Sequence, residues 1–178
     1  MDRVVTRDLV LTPVRMSDLP EVHRLHADPA VWQHQPSGRH TSLAQTRDML
    51  ELFVGGWSDG LGYWTARLRD TGAYVGIGGC RLRAGIAWNL YYRVDPSYQG
   101  RGLATQIARA GMAAAAGVAS GLPVTAYLLE HNLASHAVVR KLGLTLAWRG
   151  PDADEAAGVR LVYADRALSD EQLAVLVA

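Results

Sequence analysis

Between Gly62 and Pro96 the hydrophobic period is two, in three runs, GYWTARLRD, TGAYVGIGGCRLR and GIAWNLYYRVDP, parted by Asp70-Thr71-Gly72 and Ala84-Gly85. Turn residues between β-rich runs predict an antiparallel meander. In the third run Ile86, Trp88, Leu90, Tyr92 and Val94 share one face, and Asn89, Tyr91 and Arg93 the other. Both faces carry apolar surface, so this strand is expected to be central. The period then changes. From Gly102 to about Ser120, Leu103, Ile107, Ala110, Ala114 and Val118 form one helical stripe, and small residues elsewhere let the helix lie close on a sheet.

The flanking segments extend this pattern. LVLTPVR near the N-terminus reads as a strand, and Ser17-Asp18 followed by Pro20-Glu21 opens a helix. A second helix is expected from Thr41 to about Trp57, where Leu43, Thr46, Met49, Leu50, Phe53 and Val54 recur at helical spacing and Gly55-Gly56 stop it. After the long helix come strand PVTAYLL, helix NLASHAVVRKLG closed by Gly143, strand LTLAWRG, a turn-like PDADEAAG, strand VRLVYAD and a short capped helix in SDEQLAVLVA. At 178 residues, 49% hydrophobic and 20% charged, the chain suits one buried core. Residues 1–178 are therefore read as a single α+β domain whose mixed, mostly antiparallel sheet is flanked by helices.

Charge and cysteine content narrow the function classes. Eighteen Lys+Arg against 17 Asp+Glu leave +1, which gives no surplus for phosphate neutralisation, and nucleic acid is not an expected partner. Nor does that balance favour highly basic or ribosomal targets. Cys80 is the only cysteine, so neither an intramolecular disulfide nor a cysteine-rich zinc site can form. The opening MDRVVTRDLVLTPVR is charged where a signal peptide needs an apolar run, which predicts a cytoplasmic protein. Ala110 to Leu129 lacks charge over a spanning length, but Ser120-Gly121-Leu122-Pro123 divides it into helix, turn and strand, so no membrane segment is expected.

The chemistry points to Val94-Asp95-Pro96-Ser97-Tyr98-Gln99-Gly100-Arg101-Gly102-Leu103-Ala104-Thr105, a glycine-rich turn between strand and long helix. Glycines let the main chain approach a ligand, the helix start offers unpaired N–H groups, and the helix dipole adds partial positive charge. Such a turn is an anion cradle, and Arg101 adds a direct phosphate donor. No Gly-Lys-Ser/Thr follows, as a Walker A loop requires, and the preceding meander is not the βαβ unit of a dinucleotide fold.

The spacing Gln99-x-x-Gly102-x-Ala104, followed by Asn132-Leu133-Ala134-Ser135 and Lys141-Leu142-Gly143, resembles the GNAT superfamily of acyl-CoA-dependent N-acyltransferases. The opening LVLTPVRMSDL and its helix are similar to the branch holding the ribosomal-protein alanine N-acetyltransferases. The resemblance runs from about Val5 to Ala164. It implies a GNAT-type fold with a splayed strand before the pyrophosphate loop, and acetyl-CoA as acyl donor without a metal. Main-chain groups of Tyr91 to Val94, thus Tyr92, Arg93 and Val94, would meet the pantetheine arm. The pyrophosphate would lie on Gln99, Gly100, Arg101, Gly102, Leu103 and Ala104, with Thr105 capping or touching phosphate. Asn132 and Ser135 would stand beside the pantetheine and the thioester sulfur, with Ser135 as donor to the leaving thiolate. Asn132 is equally a good N-cap.

Two positions depart from the family. Val139 stands where many members keep a tyrosine acid, and Asn89 where relatives of this branch carry a glutamate. Candidates for proton removal are then Glu130, His131, His136 or a water chain, and His131 is preferred because imidazole titrates near neutrality. The sequence from Trp32 to His40 is, by family analogy, the acceptor-side loop. His23 and His26 read as a surface pair lacking a third metal ligand, and Cys80 as a packed side chain. These features together predict an N-acetyltransferase acting on a primary amine by direct attack, as monomer or homodimer. The alternatives are a CoA-binding regulatory module with little turnover, or transfer of another acyl group.

Overall fold

A computed structural model describes residues 3–177, and the final Ala178 of the last expected helix lies outside them. In chain order the elements are β1 (Val4–Val5), β2 (Leu9–Pro13), α1 (Leu19–Ala27), α2 (Leu43–Gly55), β3 (Tyr63–Leu68), β4 (Tyr74–Arg83), β5 (Ala87–Val94), α3 (Leu103–Ala119), β6 (Val124–Leu129), α4 (Leu133–Lys141), β7 (Thr145–Pro151), β8 (Val159–Ala164) and α5 (Asp170–Val177). The described strands form one sheet in the order β1-β2-β3-β4-β5-β6-β8-β7. Only the β5–β6 pair is parallel, so the sheet is mixed and mostly antiparallel, as expected. Segment 110–129 divides into the end of α3, a turn and β6, and among the described residues no helix is long and apolar enough to cross a membrane.

Both faces of the sheet are covered. On one face Leu103, Ile107, Ala114 and Ala115 of α3 and Val139 of α4 pack on Trp64, Trp88, Leu90 and Leu128. On the other, Val22 and Leu25 of α1 and Leu50 of α2 pack on Tyr63, Tyr74 and Ile77. Alternation along β5 thus sends Leu90 and Val94 into the first layer and Tyr91 towards the second. α2 starts at Ser42, whose hydroxyl accepts from Gln45 N–H while Gln45 reaches back, a capping box.

The long helix sits unusually close to the sheet. A Cβ added at Gly111 would lie 2.9 Å from the Gly79 carbonyl carbon, so the two backbones touch without side chains between them. The buried stripe is Leu103, Ile107, Ala108, Gly111, Ala114 and Ala115, whereas Val118 is 45% exposed. The expected stripe was thus turned about the helix axis, because glycine-to-glycine contact sets which side meets the sheet. Two further details differ. Ile86 belongs to the turn before β5, and Val4–Val5 adds an edge strand too short to carry a periodic signal.

β5 and β6 are paired at Trp88↔Val124, Asn89↔Thr125 and Leu90↔Ala126 and then part. Each keeps its other neighbour: β5 stays on β4 through Gly76↔Val94, and β6 stays on β8 through Leu129↔Arg160. A wedge therefore opens in the middle of the sheet, the splay the family resemblance implies.

The helix contact makes a paired prediction. Gly111→Ala should lower stability by about 2 kcal/mol, the usual cost of overpacking, and Tm by about 4–8 °C. Gly117→Ala, where nothing lies within 4 Å of an added Cβ, should raise stability by about 0.5–1 kcal/mol. Thermal melts of the two variants check the opposite signs.

Candidate active site

The glycine turn closes one end of the wedge. The Asp95 carboxylate accepts from Ser97 N–H at 3.0 Å and starts a tight turn over Pro96–Tyr98. Gln99 is used locally, its N–H donating to Pro96 O and its side-chain amide to Val94 O at 3.1 Å. Gly100 at φ +76° and Gly102 at φ +75° then adopt the left-handed conformation that side chains disfavour. From Gly100 through Thr105 no main-chain N–H has a partner among the described residues, and the first helical bond is Gln106 N–H to Gly102 O. Six consecutive donors without a described partner at a helix start are the arrangement that suits an anion. Arg101, exposed, stacks its guanidinium 5.6 Å from the Tyr98 ring centre. Gln106 fixes the first turn through Asp8, to whose carboxylate it donates at 2.7 Å.

The wedge supplies a second set of free groups. Trp88 N–H bonds Pro123 O on the β6 side, whereas Asp95 N–H bonds Val75 O on the β4 side. Alternation therefore turns the N–H and C=O of Tyr92 and the N–H of Val94 into the gap, while the Arg93 main chain faces β4. The side chain of Tyr92 crosses towards α4, its hydroxyl donating to Ser135 O at 3.4 Å. Burial pushes the Tyr92 phenol up to about 12, opposed by a hydrogen bond with the Ser135 side chain. Asn132 caps α4, its Oδ1 accepting from Ser135 N–H at 3.1 Å. Asn132, Ser135 and Tyr92 thus meet at the mouth of the wedge. Leu103, by contrast, sends its side chain into the core and offers the site only its main chain.

Of the residues weighed as bases, two are committed elsewhere. Glu130 is held by Arg149 at 2.7 and 3.0 Å, and that hydrogen bond keeps its carboxyl below the usual range. His136 donates from Nε2 to Glu130 O at 2.9 Å and has Tyr163 at its Nδ1. His131 contacts His34 O through Nε2 at 2.7 Å, so that nitrogen carries the proton and Nδ1 is its basic atom. Asn89 donates to the Tyr63 hydroxyl at 2.6 Å, Val139 is fully buried in the core, and burial pushes the Cys80 thiol up, which removes all three from acid–base or nucleophilic work.

Between α1, α2 and β5, next to the 32–40 loop, lies a cluster the sequence did not reveal. His26 is fully buried rather than on the surface, because α1 turns it inward against β5. Its Nδ1–H donates to Val22 O at 2.8 Å, so Nε2 accepts from the Tyr91 hydroxyl at 2.9 Å, and Tyr91 in turn accepts from Arg93 Nε at 2.8 Å. The Arg93 guanidinium lies 3.6 Å from the Trp32 ring centre. His23 and His40 both contact the Thr46 hydroxyl, at 2.7 and 2.9 Å. Spacing alone placed His23 and His26 on one helical face; only the packing of α1 and α2 says that this face is inside.

An extended ligand with an anionic centre and amide groups along its arm fits these donors. A GNAT acetyltransferase domain model matches residues 8–145. The chain belongs to the GNAT acetyltransferase family. As such it is an acyl-CoA-dependent acetyltransferase, and enzymes of this family use acetyl-CoA. Among curated proteins none matches the chain in sequence. Among solved structures it is similar to a GNAT-family acetyltransferase from Bordetella pertussis, with 20% identity over 93% of this chain and 100% of that one and a TM-score of 0.79. It also resembles a RimL ribosomal L7/L12 α-N-protein acetyltransferase solved with coenzyme A (22% identity, 92% and 97% covered, TM-score 0.75). A third likeness is to the Salmonella typhimurium acetyltransferase that modifies the N-terminal serine of ribosomal protein L7/L12 (23%, 93% and 98%, 0.74). The fold thus agrees with the ribosomal-protein branch indicated by LVLTPVRMSDL.

Burial first, then the charge of Arg93, push His26 down to about 3. The folded state holds this imidazole neutral while the unfolded chain protonates near pH 6.5, so its contribution is full above that pH and is lost as pH falls towards 3. The expected slope is about 1.4 kcal/mol per pH unit across that window. His26→Gln, which keeps a polar group but cannot titrate, should flatten the fall of Tm between pH 6.5 and 4.

Proposed function

We propose that the GNAT domain transfers an acetyl group from acetyl-CoA to a primary amine, on a small molecule or a protein N-terminus, by direct attack in a ternary complex. The observation that carries this is the run of free N–H groups from Gly100 to Thr105 at the end of the wedge opened by β5 and β6. Acetyl-CoA supplies an activated acyl thioester. Gly100 to Thr105 and Arg101 bind its pyrophosphate, and the Tyr92 and Val94 main chain hold its arm. The likeness to enzymes that acetylate ribosomal N-termini supports an α-amine acceptor.

Alignment of the two substrates does most of the work. Well-oriented reactants lower a barrier by roughly 7–11 kcal/mol. Ser135 donates a hydrogen bond to the departing thiolate, and the Tyr92 hydroxyl, bonded to Ser135 O, holds the start of α4 beside it. A thiol titrates near 8.5, so this help is modest. His131 takes the amine proton at Nδ1, directly or through water. An α-amine near 7.7–8.0 is about a tenth neutral at pH 7, whereas a lysine near 10.4 is below about a thousandth, so the α-amine is the easier acceptor.

A second reading, a CoA-holding regulatory module with little turnover, draws on Asn89 and Val139, which offer no ionisable group where relatives keep them.

Melting with and without acetyl-CoA tests the site. Ligand at about a hundred times its Kd adds roughly 2.7 kcal/mol, or about 5–10 °C. Gly102→Asp, which puts a carboxylate among the free amides at a left-handed position, should abolish that shift. An undiminished shift would reject the loop as the pyrophosphate site. Ser135→Ala should keep the shift and lower kcat about tenfold or more in a thiol-release assay; unchanged kcat would remove its donor role. Cofactor binding without turnover on a broad amine panel would favour the regulatory reading.

A further inference from the structure

The α1–α2 face of the sheet holds a cation that forms no salt bridge among the described residues. Arg93 is half-buried on the α1–α2 face of β5, and no carboxylate lies within 4 Å of it among the described residues. Its Nε is used by Tyr91, Nη1 makes only a 3.5 Å contact with Val31 O, and Nη2 has no partner there. The stack on Trp32 and the bond to Tyr91 hold the guanidinium plane still, leaving its outer edge as a two-point donor.

Four acidic side chains described on the loops of this region are otherwise engaged. Asp152 pairs with Arg160, Asp154 accepts from Ser37, Asp28 caps Ala30 and Asp95 caps the glycine turn. The nearby histidines supply no negative charge. Burial, with the charge of Arg93 next, holds His26, His34 and His40 below the usual imidazole range. Arg93 stands on β5 between Tyr92 and Val94, whose main chain borders the wedge, and its side chain reaches Trp32 and Val31 O at the start of the 32–40 loop; the contact of His131 with His34 O ties the start of α4 to the same loop.

We propose that Arg93 is the specificity residue of the acceptor pocket and that it selects an amine bearing a carboxylate near the reacting nitrogen. This rests on the acetyl-transfer reading above. A half-buried cation gains most from an ionised partner, and the planar fork of arginine matches a carboxylate. The same positive charge disfavours the ammonium form of the bound amine, which partly offsets the missing glutamate at Asn89.

The experiment compares acceptors matched except for charge: the amidated peptides Ala-Asp-Glu-Phe and Ala-Asn-Gln-Phe, and free alanine against alaninamide. Initial rates are read by thiol release. The wild type should prefer a carboxylate-bearing acceptor by roughly 10- to 100-fold in kcat/KM, chiefly through KM, as expected for a charge-assisted hydrogen bond. The peptide pair and the amino-acid pair say whether that carboxylate comes from an acidic N-terminus or from the α-carboxylate of a free amino acid. Arg93→Gln should bring the preference within about twofold, and Arg93→Lys should restore part of it. Equal use of charged and neutral acceptors, or a preference that survives Arg93→Gln, overturns the proposal. Should no acceptor turn over, binding of N-acetyl-Asp-Glu to the CoA-saturated protein is measured by calorimetry. Binding at least tenfold weaker in Arg93→Gln supports the proposal, and no binding to the wild type overturns it. The melting shift with acetyl-CoA keeps the two levels apart. If it is absent, the acetyl-transfer reading has failed and this inference falls with it; if present, only the acceptor assignment is at stake.

Discussion

Past Leu90 and Ala126 the two middle strands of the sheet stop pairing, and the site depends on that parting. Main-chain groups inside a sheet are normally satisfied by a neighbouring strand, so a gap there leaves donors and acceptors that a ligand or water must meet. The gap is held open from both sides, since β5 remains bonded to β4 and β6 to β8. It ends at the glycine turn, where six further N–H groups are free because two left-handed glycines and a helix start follow one another. The close seating of α3 on Gly79 and the tie from Gln106 to Asp8 keep those amides in line with the gap.

Successive residues of β5 face opposite layers of the molecule. Tyr92 reaches α4 and Ser135, beside the cofactor wedge. Tyr91 and Arg93 reach the α1–α2 layer, where His26 and Trp32 hold them. The polarity of that chain is set: His26 must donate to Val22, so Tyr91 must donate to His26 and is left to accept from Arg93. Burial holds His26 well below the usual imidazole range, so the relay beneath the Arg93 guanidinium adds no charge of its own near neutral pH. A half-buried cation on this face is thus a product of packing, although the whole chain carries only +1.

Much of this was legible beforehand. The change from period two to a helical period, the glycine spacing and the Asn132–Ser135 start of α4 are local signals with local causes. The meander, the central strand, the long helix and the tight glycine turn between strand and helix therefore follow from them. Where expectation and structure diverge, the cause lies in contacts between distant segments. Val118 fits a helical stripe, yet Gly111 against Gly79 rotates the helix away from it. His23 and His26 share a helical face, but the burial of that face is decided by α2 and β5. The sequence points only to the main chain of Tyr92, and its pairing with Ser135 exists only because α4 folds back across the strand.

By itself, then, the sequence determined the α+β order of elements, the glycine cradle at the start of α3 and the absence of an ionisable side chain at Asn89 and Val139. Those properties reside in periodicity and residue identity, which need no partner in space. Only the tertiary structure decided how far β5 and β6 stay together, which N–H groups are left free, and which side of β5 each side chain serves. Parting of strands and pairing of charges are set by segments far apart in the chain, and no local pattern records what will stand on the other side of a gap.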